Sequence, residues 1–312
     1  RALAAPGASC TTGIPEMAGF YFDSKNIGHG FVDNGGKFTT ITDPHANTAA
    51  YQGTYAVDIS SSGTVVGQYY DTKGVTHGFM DQAGKFTTIN DPSAGTAAGQ
   101  GTAIFSINDL GVMAGYFVDS KNVAHGFEDV AGKFTTFTDP SAGTKNDPST
   151  YLDGLPDQGT YLFGPNDGGV VFGEYVDNKG VAHGFEDLGG RYTTLDFSGA
   201  GTSSGEGSAI DEINNLGVIV GEYADSKGVN HGFLDQGGKL SVINDPKAGT
   251  AKGQGTIPST LDNEGVVIGY YFDSSGTAHG FADQAGKFTT INDPSAGAGG
   301  TYLTGTPFSL CP

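Results

Sequence analysis

The chain has no tryptophan, only three methionines and two cysteines, and its 15 basic residues stand against 34 acidic ones in 312 positions. Each shortage excludes something. A formal charge of −19, with lysine and arginine spread thinly along the chain, argues against nucleic acid as a partner, because phosphate contacts need clustered cations. No apolar run approaches the roughly 20 residues of a membrane-crossing helix. No stretch carries apolar residues at helical spacing, which excludes helical repeats. With hydrophobic residues at 37% and 53 glycines, many short strands joined by turns fit the composition best.

The two cysteines are Cys10 and Cys311, at opposite ends of the chain. Terminal placement around a repetitive sequence predicts a disulfide clasp between them. The chain begins at Arg1 rather than methionine, and either upstream processing or an imposed start is expected.

What is present is a repeat. His-Gly-Phe triplets begin at His29, His77, His125, His183, His231 and His279, at spacings of 48, 48, 58, 48 and 48 residues. In the third copy Gly101 to Asn108, Val112 to Asp119, Val123 to Asp129 and Lys133 to Phe137 each read as a strand. Asp109-Leu110-Gly111, Ser120-Lys121-Asn122 and Val130-Ala131-Gly132 are turns, and Pro140 ends the unit. Four antiparallel strands in about 48 residues is the blade of a β-propeller, and six copies predict six blades. Residues 1–312 are therefore read as one closed, all-β domain rather than two ordinary ones.

The first blade starts at its second strand, so its missing innermost strand must come from the far end. Gly305 to Cys311 resembles Gly101 to Asn108 and is the predicted closing strand. The 58-residue interval carries ten extra residues near Lys145 to Gly154, between a fourth strand and the next first strand. Such an insertion would overhang the face where propellers usually bind ligands.

These residues resemble the extracellular HAF-repeat family, whose His-Ala-Phe triplet stands here as His-Gly-Phe. The turns Ile107-Asn108-Asp109-Leu110-Gly111 and Ile213-Asn214-Asn215-Leu216-Gly217 match its pattern, and the likeness runs from Gly13 to Cys311. It departs in having glycine for alanine in every triplet and in lacking the tryptophan often found after it. The resemblance implies secretion, hence an extracellular or periplasmic setting, and no established chemistry.

Six of the seven histidines lie in the triplets, which raises a metal site. Six equivalent strands would hold them in six separate blades, so a structural role is expected: each histidine bonded within its blade to the second-strand aspartate, such as Asp119 or Asp177, or to a fourth-strand threonine such as Thr135. The repeated aspartates Asp23, Asp71, Asp119, Asp177, Asp225 and Asp273, and Asp33, Asp81, Asp129, Asp187, Asp235 and Asp283, read as turn caps. Calcium at some of these turns is the sharper alternative, although no Asp-x-Asp-x-Asp-Gly loop is present; the cofactor expectation is none or Ca2+. Gly201-Thr202-Ser203-Ser204-Gly205 fits a nucleophile-elbow pattern but lies in a glycine-rich link without the strand and helix that motif requires.

The informative positions are those where copies differ. The residue before the second-strand aromatic is Phe20, Gln68, Tyr116, Glu174, Glu222 and Tyr270, so only the fourth and fifth blades carry glutamate. In the innermost strand, Val57, Phe105 and Phe163 give way to Asp211, with Glu212 beside it. Their plain reading is solvated surface charge. Their sharper reading is an acidic site near the axis, formed by Glu174, Asp211, Glu212 and Glu222, which could bind a cation or a hydroxyl-rich ligand or act as an acid/base pair.

The expectation is a monomeric propeller that binds or scaffolds an extracellular carbohydrate or other small ligand, with Tyr151, Asp153 and Tyr161 as contacts on the loop face. The alternatives are a polysaccharide lyase or hydrolase, a calcium-dependent phosphate-ester hydrolase using the four carboxylates, or a structural matrix protein.

Overall fold

A computed structural model of the chain describes residues 17–144, 158–166, 168–297 and 299–304. Within them lie twenty-four strands, arranged as six four-stranded antiparallel blades in a ring. Blade 3 is typical: Gly101–Ile107 is innermost, followed outward by Val112–Val118, Ala124–Val130 and Lys133–Phe137. Among the described residues no helix is long and apolar enough to cross a membrane.

The ring closes as the missing strand of blade 1 requires, but with different residues. Thr301–Leu303, not Gly305 to Cys311, pairs with Met17–Phe22 in the register Gly19↔Leu303, Phe20↔Tyr302, Tyr21↔Thr301. Gly300 makes the same parallel bridge to Ala278 that Gly101 makes to Thr76, so Gly300 begins the repeat's innermost strand. The sequence match was set too far along because Gly305 and Thr306 mimic the Gly-Thr of Gly101 and Thr102. Cys10, Cys311 and the segment Lys145 to Gly154 lie outside the described residues.

Consecutive blades are joined by that same bridge. Gly53, Gly101, Gly159, Gly207, Gly255 and Gly300 each have φ between +85° and +145°. A Cβ at Gly101 would collide with the Thr76 carbonyl oxygen of the preceding blade, and the other five positions meet an equivalent carbonyl. Only glycine adopts this backbone at this distance without strain. A second link sits one residue on. The backbone N–H groups of Asp43, Asp91, Asp139, Asp245 and Asp293 donate to the hydroxyls of Thr54, Thr102, Thr160, Thr256 and Thr301, and Phe197 N–H donates to Ser208.

The core is divided among the blade junctions rather than gathered in one centre. Phe31, Phe79, Phe127, Phe185 and Phe281, the phenylalanines of five triplets, are fully buried against the preceding blade. The glycine before each lets the following blade approach: a Cβ at Gly126 would lie 2.7 Å from Leu162 Cδ1. Alternation along the third strand thus packs the blade on both sides.

At the end of the ring where first and second strands turn, a belt runs between blades. Asn108 Nδ2 donates to the Asn166 carbonyl (3.5 Å), Asn166 Nδ2 to that of Asn214 (3.3 Å), and Asn214 Nδ2 to that of Asp262 (3.0 Å). Buried amides satisfied in this way tie blades 3 to 6 together across the axis wall.

Candidate ligand site on the propeller axis

The innermost strands of blades 2 to 6 each contain a bulge, and the bulged residue is Val57, Phe105, Phe163, Asp211 or Ser259. A bulge leaves one residue unpaired and re-aims its side chain. All five line one cavity of about 490 Å³, together with Thr304, which follows the innermost strand of blade 1. The whole second-strand series joins them: Phe20, Gln68, Tyr116, Glu174, Glu222 and Tyr270. Every blade contributes, so the cavity lies on the axis of the ring.

The wall is not symmetric. Blades 6, 1 and 2 present most of the aromatic rings: Tyr270 and Phe272, Phe20, Phe22 and Tyr302, and Tyr55 and Tyr70, against Phe105, Tyr116 and Phe163 from blades 3 and 4. Phe20 stacks on Tyr302 at 4.7 Å between centroids, and Tyr302 meets Tyr270 edge-on at 4.9 Å. Tyr55 meets Phe20 at 4.8 Å and Tyr70 at 5.7 Å, so the rings form one continuous arc. Phe22, Tyr70 and Phe272 end their strands on the side where second and third strands turn, and there the exposed Tyr51 extends the arc, 5.7 Å from Phe22.

Opposite stand the carboxylates. Glu174, only 2% exposed, and the half-buried Asp211, Glu212 and Glu222 line the same cavity. The reading of these four as solvated surface charge is therefore corrected: the second-strand position points at the axis in all six blades, and blades 4 and 5 place glutamate there. Asp58 is a fifth acid at the wall, but its oxygens accept the Ile59 and Ile107 N–H groups at 2.8 Å, which makes it a brace between blades 2 and 3.

Burial raises the pKa of three tyrosines in the arc. Tyr55 and Tyr70 are raised by desolvation, Tyr55 further by its neighbours Tyr70 and Tyr302, and Tyr302 is pushed up to about 12. All three remain protonated hydroxyls at neutral pH, able both to donate and to accept.

The other predicted site residues fall elsewhere. Tyr151 and Asp153 lie outside the described residues. Tyr161 offers no stacking surface to the loop face: it is 0% exposed, packed against Tyr116 at 5.0 Å between blades 3 and 4. Its place in the innermost strand opposite Glu174 puts it inside the ring.

The triplet histidines sit inside their own blades. Each Nε2 faces the second-strand aspartate at 3.2–3.8 Å, from His279–Asp273 at the short end to His183–Asp177 at the long end. Each ring stacks on the facing aromatic, Tyr21, Tyr69, Phe117, Tyr175, Tyr223 or Tyr271, at 4.9–5.3 Å. Thr135 is not a partner, since it pairs across the ladder with Glu128. Nδ1 instead faces the residue after the fourth strand: Asn90, Thr138, Asp196, Asn244 or Asn292. Among the described residues no group of three or more His, Cys, Asp or Glu is placed to hold a metal ion.

In the second-strand series the two glutamates stand out and the aromatic arc does not. The signal was there one pleat further on. Phe22, Tyr70, Val118, Val176, Ala224 and Phe272 read aromatic in blades 1, 2 and 6 and aliphatic in the other three.

No family model matches the chain, and no curated protein matches it in sequence. Solved structures do match in shape. The fucose-specific lectin of Aleuria aurantia, a six-bladed β-propeller, is 15% identical with a TM-score of 0.55, over 95% of this chain and 94% of the lectin. The BP39L lectin of Burkholderia pseudomallei is 13% identical with a TM-score of 0.51, over 91% and 83%. The fold is that of a six-bladed β-propeller. At these identities the likeness is one of fold.

Proposed function

We propose that the protein is a carbohydrate-binding propeller whose ligand sits in the axial cavity. The observation that carries this is the two-sided wall. A sugar has an apolar face of C–H groups and an edge of hydroxyls; the arc from Tyr270 through Tyr302 to Tyr70 suits the first, and Glu174, Asp211 and Glu222 suit the second. A volume of about 490 Å³ lies within the usual range for small-ligand pockets, roughly 300–1,000 Å³. The fold shared with a fucose-specific lectin supports the reading. Likeness to the HAF-repeat pattern supports a secreted protein in an extracellular or periplasmic setting.

Calorimetric titration with L-fucose, glucose and their amino derivatives tests the assignment. Binding of at least one of these, weakened about tenfold or more by Tyr302→Ala or Phe22→Ala, supports it. Failure of every sugar to bind, or binding that these variants leave intact, refutes the site.

A second reading rests on one specific observation, the convergence of four carboxylates on one cavity. A polysaccharide-cleaving enzyme would use Glu174, Asp211, Glu212 and Glu222 as acid and base. It requires release of reducing ends from an oligosaccharide incubated with the protein, abolished by Glu222→Gln.

A further inference from the structure

The sign of the charge around the cavity is as informative as its shape. Among the described residues five acidic side chains line it and no lysine, arginine or histidine does. A neutral sugar entering this space would displace water from Asp211, Glu212 and Glu222 and, although its hydroxyls donate to them, bring no opposite charge. Ion desolvation without a counter-charge opposes binding. A protonated amine reverses that balance: it pairs with carboxylates by charge-assisted hydrogen bonds and is attracted to the faces of Tyr270 and Tyr302 on the other side.

Two buried hydroxyls at the cavity wall are an independent observation. Ser106 and Thr260 are lining residues, only 9% and 2% exposed, and their hydroxyl oxygens have no hydrogen-bond partner within the protein. Buried hydroxyls in this condition are costly unless something satisfies them. They come from blades 3 and 6, from equivalent positions one residue past the bulge, so they flank the acidic side of blades 4 and 5. A ligand anchored there by its ammonium group can reach hydroxyls on either side.

We propose that the axial cavity selects an unacetylated amino sugar, a 2-amino-2-deoxyhexose with a protonated amine, over neutral sugars of the same size. The proposal rests on the carbohydrate reading above and adds the charge of the ligand to it. Ring carbons lie on the arc of blades 6, 1 and 2, the ammonium faces Glu222 and Asp211, and the ring hydroxyls meet Ser106 and Thr260.

Calorimetry with glucosamine, N-acetylglucosamine, L-fucose and ethanolamine separates the parts. Glucosamine is expected to bind about tenfold or more tighter than N-acetylglucosamine, from the strength of hydrogen bonds to charged groups. Glu222→Gln and Asp211→Asn, conservative in size, are expected to remove that preference, bringing the glucosamine and N-acetylglucosamine affinities within about threefold of each other. Their melting temperatures confirm that folding is intact. N-acetylglucosamine or fucose binding as tightly as glucosamine overturns the charge selection and leaves the carbohydrate reading standing. Ethanolamine binding as tightly as glucosamine overturns the carbohydrate reading, since the amine alone then suffices. No binding by any of the four overturns both.

Discussion

At the scale of single residues, His183 is the exceptional copy among the six triplet histidines. Its Nδ1 faces Asp196 at 3.0 Å, where His77, His231 and His279 face asparagine and His125 faces threonine. The Asp196 hydrogen bond raises the His183 pKa, with Asp177 adding to it against the opposing effect of burial. A raised histidine stabilises the fold fully below its unfolded value of about 6.5 and loses that contribution as pH rises through the folded value. In a proton NMR titration Asp196→Asn is predicted to lower the pH at which His183 loses its proton. Unchanged titration in the variant would remove the Asp196 assignment. The aspartates divide by position. Asp23, Asp71, Asp119, Asp225 and Asp273 are lowered, chiefly by backbone N–H groups of their turns and, for Asp273, by the Ser275 hydroxyl; burial opposes the shift. Their contribution is present above the unfolded value of 3.8 and is lost as pH falls through the folded values. Asp33, Asp81, Asp129 and Asp283 are raised by burial, with a turn N–H opposing and a second aspartate from the preceding blade adding to the rise. Their contribution is present below 3.8 and is lost as pH rises through the folded values. Asp43→Asn, which takes away the charge facing Asp81, is predicted to shift the Asp81 carboxyl titration downward, read from its carbon chemical shift.

At the scale of elements, the junction between blades is where backbone and side chain most constrain each other. Gly101→Ala is predicted to cost about 1–3 kcal/mol or more, because it combines a strained φ of +123° with a collision against Thr76. Gly111→Ala, with a φ of +77° but open space around it, should cost only about 1 kcal/mol in the same urea titration. Equal losses would mean that the parallel bridge contributes nothing. Gly126→Ala overpacks Leu162 and is predicted to cost about 1–3 kcal/mol, part of which Leu162→Ala returns in a double-mutant cycle. One junction differs. Phe197 stands where the other blades carry Asp43, Asp91, Asp139, Asp245 or Asp293, and it stacks on Tyr223 at 4.3 Å and Phe233 at 5.1 Å. Strands, turns and the repeated His, Gly and Asp positions were legible in the sequence because each copy meets the same local demand. The closing strand was misplaced because two Gly-Thr pairs compete and only the bridge to Ala278 separates them.

At the scale of the whole molecule, the fold follows from repetition and the site from its breakdown. Glu174 and Glu222 were visible as exceptions within an aligned series, but whether they met solvent or one another depends on how a ring of six blades closes, which no single repeat encodes. Tyr161 shows the converse: a tyrosine near an insertion looks available for a ligand until the innermost strand buries it against Tyr116. The bulges at Val57, Phe105, Phe163, Asp211 and Ser259 had no sequence signal, because a bulge is a property of strand pairing and its residues share no side-chain type. They nonetheless turn five side chains toward the axis and make the cavity what it is. The most direct measurement is a crystal structure of the protein soaked with glucosamine and, separately, with L-fucose. Sugar density on the axis, with its ring against Tyr302 or Tyr270 and a polar edge toward Glu222, is the predicted result. Sugar bound between the outer strands of neighbouring blades, with the axial cavity filled only by water, would contradict it.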